Sequence, residues 1–248
     1  MKRFIIALQF LTIIRVVRHL RIEPEELGRS MGFFPVVGLL LGLILILINT
    51  ILLRFLPNSV VDGILIGTLI ILTGALHMDG LADTIDGMTG GRTKEEVLRI
   101  MRDSRTGAIG VVGVTMTLLL KYMSLIHIPP EMKNHVLIVM PVIGRCSMVQ
   151  ASFFTDYARS DSGIGLPFTH HVKRREVILA TITGFLISTV LLGIDGLIII
   201  TGIIVSTLGL MALYRRKIGG NTGDTYGATN EINEVLVLIL ALSLLSNG

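Results

Sequence analysis

Residues 33–56 read FFPVVGLLLGLILILINTILLRFL, a run broken by one charge, Arg54, close to its end. Coiled as an α-helix at about 1.5 Å per residue, this run is long enough to cross the ~30 Å hydrocarbon layer of a bilayer. Working outward, further runs meet or approach the required ~20 mainly apolar residues. They are Val60–His77, Ala108–Ile128, Val136–Phe154, Val177–Ile194, Gly196–Tyr214 and Ile232–Leu245. Val177–Ile194 and Gly196–Tyr214 are parted only by a tight turn at Asp195–Gly196. Composition agrees: the chain is 51% hydrophobic and only 16% charged, with a mean hydropathy of +0.76. Soluble domains carry about 25% charged residues, so a soluble fold of this chain would lack polar surface. The expected fold is all-α: one polytopic, membrane-embedded helical bundle of about six to seven spans over residues 1–248.

Charge placement tests that expectation, because cytoplasmic loops of membrane proteins carry an excess of Lys and Arg. Lys2, Arg3, Arg15, Arg18, Arg21 and Arg29 precede the first run. Arg92, Lys94, Arg99, Arg102 and Arg105 follow the second, Arg159 and Lys173–Arg175 the fourth, and Arg215–Lys217 the sixth. The intervening connections hold almost nothing beyond Lys133 with Glu131, and Asp195. This alternation implies a multi-pass protein of the cell membrane with a cytoplasmic N-terminus. It also accounts for the net charge of +4 without nucleic acid. The N-terminal segment, residues 1–30, reads as an amphipathic stretch at the interface, with Phe4, Leu8, Leu11 and Ile14 or their neighbours inward. No small-residue cleavage site follows it, and Arg15 and Arg18 come too soon for a signal peptide. Cys146 is the only cysteine, so no internal disulfide can form, and it reads as a small core hydrophobe.

The strongest chemical signal is His77-Met-Asp79-Gly-Leu-Ala-Asp83-Thr-Ile-Asp86-Gly87. Carboxylates at i, i+4 and i+7 share one helix face. Three unpaired carboxylates side by side at a membrane boundary repel one another, and a divalent cation between them removes the cost. Hard oxygen donors without cysteine favour Mg²⁺, or Mn²⁺, over Zn²⁺. A solvated acidic helix end is the plain alternative. His77 stands beside this stripe as a further candidate. Next comes Arg99-Ile-Met-Arg102-Asp103-Ser104-Arg105. Thr93 with Glu96 forms a capping box, which predicts a helix from about Lys94 to Asp103. Arg102 and Arg105, one turn apart, suit phosphate oxygens, and Asp103 could add a fourth oxygen to the metal. The alternative is that these arginines only set topology. A Gly-rich stretch, residues 219–227, leads to Asp224, Glu231 and Glu234, the last two at the start of the final span. Arg145 lies within the fourth run, where it is either functional or paired with a carboxylate. Tyr157-Ala-Arg159, with Gly163 and Gly165 beyond, forms a polar loop able to touch substrate. Carboxylates, arginines and a Gly-rich loop on one rim suit metal-assisted transfer at a phosphate or pyrophosphate.

Several motifs taken together resemble the cobalamin synthase, or adenosylcobinamide-GDP ribazoletransferase, family. They are Ala7-Leu-Gln-Phe-Leu-Thr12, Phe34-Pro35-x-x-Gly38, the stretch from Thr73 to Gly87, and Ile100-Met-x-Asp103-Ser-Arg105-x-Gly107. Tyr157-Ala-Arg159 and Gly219-Gly-x-Thr-Gly-Asp224-Thr-x-Gly227-Ala complete the set, all in family order. The resemblance implies a Mg²⁺-dependent enzyme at the cytoplasmic side of the membrane. It would join α-ribazole, or its 5′-phosphate, to adenosylcobinamide-GDP and release GMP. On that basis Asp79, Asp83, Asp86 and Asp103 are expected to hold metal. Asp83, Asp86 and His77 would take part in catalysis, and Arg102, Arg105, Arg145, Arg159, Asp224 and Glu231 would bind substrate. The general base stays open among Asp86, His77, Asp224 and Glu231. Expected partners are these two substrates and membrane lipid; self-association and association with other cobamide-assembly enzymes stay open. Two rivals remain. A CDP-alcohol phosphotransferase also uses spaced aspartates, but Asp83 stands after Ala82 where that family's pattern has Arg. A cation transporter would hold its acids near the bilayer midplane rather than at span ends.

Overall fold

The computed structural model describes residues 1–159, 163 and 165–245, and these are helical almost throughout, with no strand among them. The remaining residues of the expected 159–165 polar loop lie outside the described ones. The helices are α1 (Lys2–Leu11), α2 (Pro24–Ser30), α3 (Phe34–Leu52), α4 (Asn58–Leu72), α5 (Leu76–Gly90) and α6 (Lys94–Ile100). They continue with α7 (Ala108–His127), α8 (Pro130–Phe154), α9 (Leu166–His171), α10 (Arg174–Ile218) and α11 (Gly223–Leu245). Five helical segments are long and apolar enough to cross a membrane, or six with α4 and α5 taken as one bent span. The protein is thus a polytopic membrane helical bundle.

Helix α8 forms its axis and is buried along most of its length from Val136 to Ser152. Two glycines of α3 make this packing possible. A Cβ at Gly38 would run into the Pro141 carbonyl, and one at Gly42 would reach within 2.7 Å of the Ile138 Cα. The helix axes can approach this closely because no side chain stands between them, as is usual where membrane helices meet through small residues.

Two expected boundaries move. The run Val60–His77 does not form one straight helix, because α4 stops at Leu72 and α5 leaves at 88° to it. Gly74 (φ 59°) and Ala75 (φ 57°) both take the left-handed conformation at the corner. Glycine adopts it freely, whereas for Ala75 it is strained. The last span starts at Gly223 instead of Ile232. Asp224 therefore sits in its first turn, and Glu231 and Glu234 sit well inside it.

The two expected spans over 177–214 are present, joined within α10. A straight 45-residue helix would measure about 68 Å, over twice the hydrocarbon thickness. Gly193, at φ 57° and ψ −131°, breaks it. The chain folds back so tightly that a Cβ at Gly196 would strike the Ser188 carbonyl. Val177 and Thr181 of one limb then share a cavity wall with Thr207 and Met211 of the other.

Helix α1 is docked more firmly than an interfacial segment requires. Ile6, Ala7, Leu8 and Leu11 are buried, and Phe10 meets Phe168 of α9 edge-on at 4.9 Å. The capping box at Thr93 forms as expected, with the Glu96 amide donating to Thr93 Oγ1 at 3.3 Å. However, α6 ends at Ile100, so Arg102 and Arg105 lie beyond it rather than one helical turn apart.

Candidate active site

The three aspartates of the stripe lie on α5 as expected, but their surroundings separate them. Asp86 is a tether. Its Oδ2 accepts the Gly107 amide at 2.6 Å and its Oδ1 the Gly110 amide at 2.7 Å. These are the N-cap and third residues of α7, where orphan amides and the helix dipole favour an anion. Asp79 and Asp83 have no hydrogen-bond or ion-pair partner among the described residues. The charges of Asp79, Asp224 and Asp86 all bear on Asp83.

Asp224 comes from the first turn of α11, which runs against α5. The approach is close because both helices present glycine. A Cβ at Gly80 would come within 2.7 Å of the Asp224 carbonyl oxygen, and one at Gly227 within 3.1 Å of the His77 Cα. A Gly80→Ala protein should therefore force α5 and α11 apart. The expected result is a loss of about 1–3 kcal/mol in stability, typical of an overpacked contact, with transfer activity reduced at least tenfold. Thermal unfolding in detergent and a product assay check it; wild-type behaviour in both would show that the glycine contact does not position the acids.

Beside the acids lies a cavity of about 260 Å³, lined by His77, Asp79, Asp224, Arg159 and the apolar side chains of Phe10, Met148 and Phe168, among others. Arg159 Nη2 donates to Asp224 Oδ2 at 2.8 Å. Arg159 also lines a neighbouring cleft of about 480 Å³ with Lys94, Arg99 and Arg102. An acidic cavity and a basic cleft thus share one arginine. The loop carrying Arg159 is fixed by backbone pairing, Ala158 N to Asn221 O and Asn221 N to Asp156 O, both 2.8 Å.

Other expected residues are placed elsewhere. Arg105 grips Asp103 through Nε at 3.1 Å and Nη2 at 2.9 Å. These bonds hold the Asp103 carboxyl down at about 2. The pair is therefore complete above the ordinary carboxylate range and is lost only as the pH falls towards 2. Asp103 is held by Arg105, and among the described residues it forms no group of three acids close enough to hold a metal. Arg145 is buried, pairs with Glu234 and is absent from the cavity wall. Glu231 Oε2 is held by Lys121 at 2.6 Å, and the same Lys121 reaches Glu234 at 2.5 Å. Asn230 donates to both glutamates at 3.1 Å. Lys121 is not among the residues expected at the site; its signal in the sequence is a lone Lys inside the Ala108–Ile128 run, since an intramembrane charge demands a partner. His77 is buried, and neither ring nitrogen has a hydrogen-bond partner among the described residues; Nδ1 lies 4.0 Å from Glu231 Oε1, too far for a hydrogen bond.

Among the described residues, no three His, Cys, Asp or Glu side chains are already close enough together to hold a metal ion. The donor chemistry nevertheless fits a hard divalent cation. Asp79 and Asp83 offer free carboxylates, and Asp224 keeps oxygen lone pairs beyond those used by Arg159 and Thr222.

Comparison with known proteins adds a full-length match. A family model described as cobalamin-5-phosphate synthase matches residues 3–242. A curated relative from Geotalea daltonii, an adenosylcobinamide-GDP ribazoletransferase, is 39% identical over 244 residues, covering 98% of each chain. Relatives of the same name from Acetivibrio thermocellus and Pseudomonas fluorescens are 38% and 36% identical, over 97% and 94% of this chain and 97% and 96% of their own. No solved structure matches the chain.

Proposed function

Because the chain belongs to the cobalamin-5-phosphate synthase family, we propose that it joins α-ribazole or its 5′-phosphate to adenosylcobinamide-GDP and releases GMP. A ribose hydroxyl attacks the phosphorus attached to cobinamide. The new P–O bond forms as the bond to the GMP phosphate breaks, and the hydroxyl proton passes to a carboxylate of the acidic face. The observation that carries the reading is the junction at Arg159, where acids on α5 and α11 meet a basic cleft.

Arg159 and Arg102 orient the diphosphate, so that the bond to be broken lies beside the acids. Asp79, Asp83 and Asp224 would hold Mg²⁺, which when bound neutralises charge on the phosphates and on departing GMP. Asp86 fixes the register of α5 against α7. The basic cleft beside the site supports a cytoplasmic placement under the positive-inside rule.

The test is GMP release by the purified protein in lipid, supplied with adenosylcobinamide-GDP and α-ribazole. Mg²⁺ should be required, and activity should fall to background with a chelator and return when Mg²⁺ is restored. A folded protein that yields no GMP with either acceptor would end this reading and turn attention to CDP-alcohol substrates. Turnover that survives the chelator would remove the metal while leaving the reaction.

A further inference from the structure

A second cavity, of about 360 Å³, lies between α1, α2 and the start of α10, away from the site already described. Its wall carries four cations, Lys2, Arg3, Arg29 and Arg175, and two carboxylates, Glu26 and Glu176. The carboxylates are already engaged. Glu26 accepts Lys2 Nζ at 2.6 Å, and buried Glu176 accepts the Lys173 amide at 3.1 Å as part of the α10 cap. Arg29 pairs with Glu25 outside the wall, yet its buried Nε has no hydrogen-bond partner among the described residues. Arg3 and Arg175 have no carboxylate within ion-pair distance among the described residues. The cavity therefore has a net positive charge and unused donors, which suits an anion.

The surface below the cavity is apolar. Arg175, Leu179, Ile182 and Leu186 follow one another at helical spacing on one stripe of α10. Leu179 is 42% exposed, Ile182 51% and Leu186 52%, and Leu179 also forms part of the cavity wall. In a bundle read as spanning a membrane, this stripe faces hydrocarbon. A basic pocket opening onto such a stripe is matched by a molecule with a phosphate at one end and an alkyl chain at the other.

We propose that this cavity holds the headgroup phosphate of an anionic phospholipid, with one acyl chain along Leu179, Ile182 and Leu186. The phosphate takes the free guanidinium donors of Arg3, Arg29 and Arg175. The lipid then bridges α1 to α10, two elements far apart in sequence. A free phosphate ion could use the same donors but would gain nothing from the stripe.

The full chain in neutral detergent, given equal amounts of phosphatidylglycerol and phosphatidylcholine, tests this by native mass spectrometry. One phosphatidylglycerol should be retained in roughly tenfold preference or more, and the Arg3→Ala/Arg175→Ala protein should bring the ratio close to one. Neither residue belongs to the candidate active site. Parity in the wild-type protein overturns the proposal without recourse to any variant, and so does an unchanged ratio in a folded double variant. Inorganic phosphate is titrated separately by thermal shift. Stabilisation only at far higher concentration than the lipid supports the assignment, whereas equal potency would mean an anion site that no lipid needs.

Discussion

An Asp83→Asn protein should lose transfer activity by about 10³-fold while keeping, or slightly raising, its melting temperature. The activity loss follows from removing a carboxylate with no partner of its own from the centre of the acidic face, where a single preorganised electrostatic group is commonly worth about 10²–10³ in rate. The stability change has the opposite sign because partial burial disfavours the charge on Asp83, and Asp79, Asp224 and Asp86 all repel it. Asparagine fills the same space without that charge. Activity and thermal unfolding must be measured on the same preparation. Loss of both together would make Asp83 a structural residue; retention of both would remove it from the reaction. Activity sites that relax when mutated in this way show that stability was given up for function.

Lys121→Ala should do the reverse and destabilise the bundle by about 3–5 kcal/mol, the usual consequence of removing one partner from a buried ion pair. Lys121 is 2% exposed and is the ammonium common to Glu231 and Glu234. Arg145 still serves Glu234 after the substitution, so Glu231 is the group left without a counter-charge. Combining Lys121→Met with Glu231→Gln should therefore recover much of the loss, because it removes both members of the pair. Denaturant unfolding in mixed micelles measures all three proteins. A loss below about 1 kcal/mol in Lys121→Ala, or no recovery in the double variant, would mean that water reaches the pair and that it is not a buried one.

Much of this architecture was visible in the sequence because hydropathy and basic loops both report on the bilayer. The acidic stripe was visible as well, since i, i+4, i+7 spacing becomes one face once the segment is helical. The departures share a physical origin. Thr73-Gly74-Ala75 is small and apolar, so a hydropathy reading runs straight through the corner; the left-handed conformations there leave no compositional mark. Lys121 disappears in the average of an otherwise apolar run. Lys133 looked like a connection residue beside Glu131, yet its ammonium lies 2.8 Å from an oxygen of Asp62 on α4. Such pairs depend on which helices are neighbours, information that no single segment contains. The start of α11 is hidden for a similar reason: Gly223 to Asn230 is polar and Gly-rich, and it is helical where α11 packs against α5 and α8.

The shortness of α4 bears on how water is kept from the reaction. Fifteen residues rise only about 22 Å, less than the ~30 Å hydrocarbon layer. The corner at Gly74–Ala75 thus comes before α4 has risen through a full hydrocarbon layer, and α5 starts its acidic face just beyond that corner. A soluble transferase commonly closes a loop over its reactants to exclude water. Around so short a helix the acyl chains of the bilayer would supply part of that barrier, making the membrane a wall of the enzyme as well as its anchor.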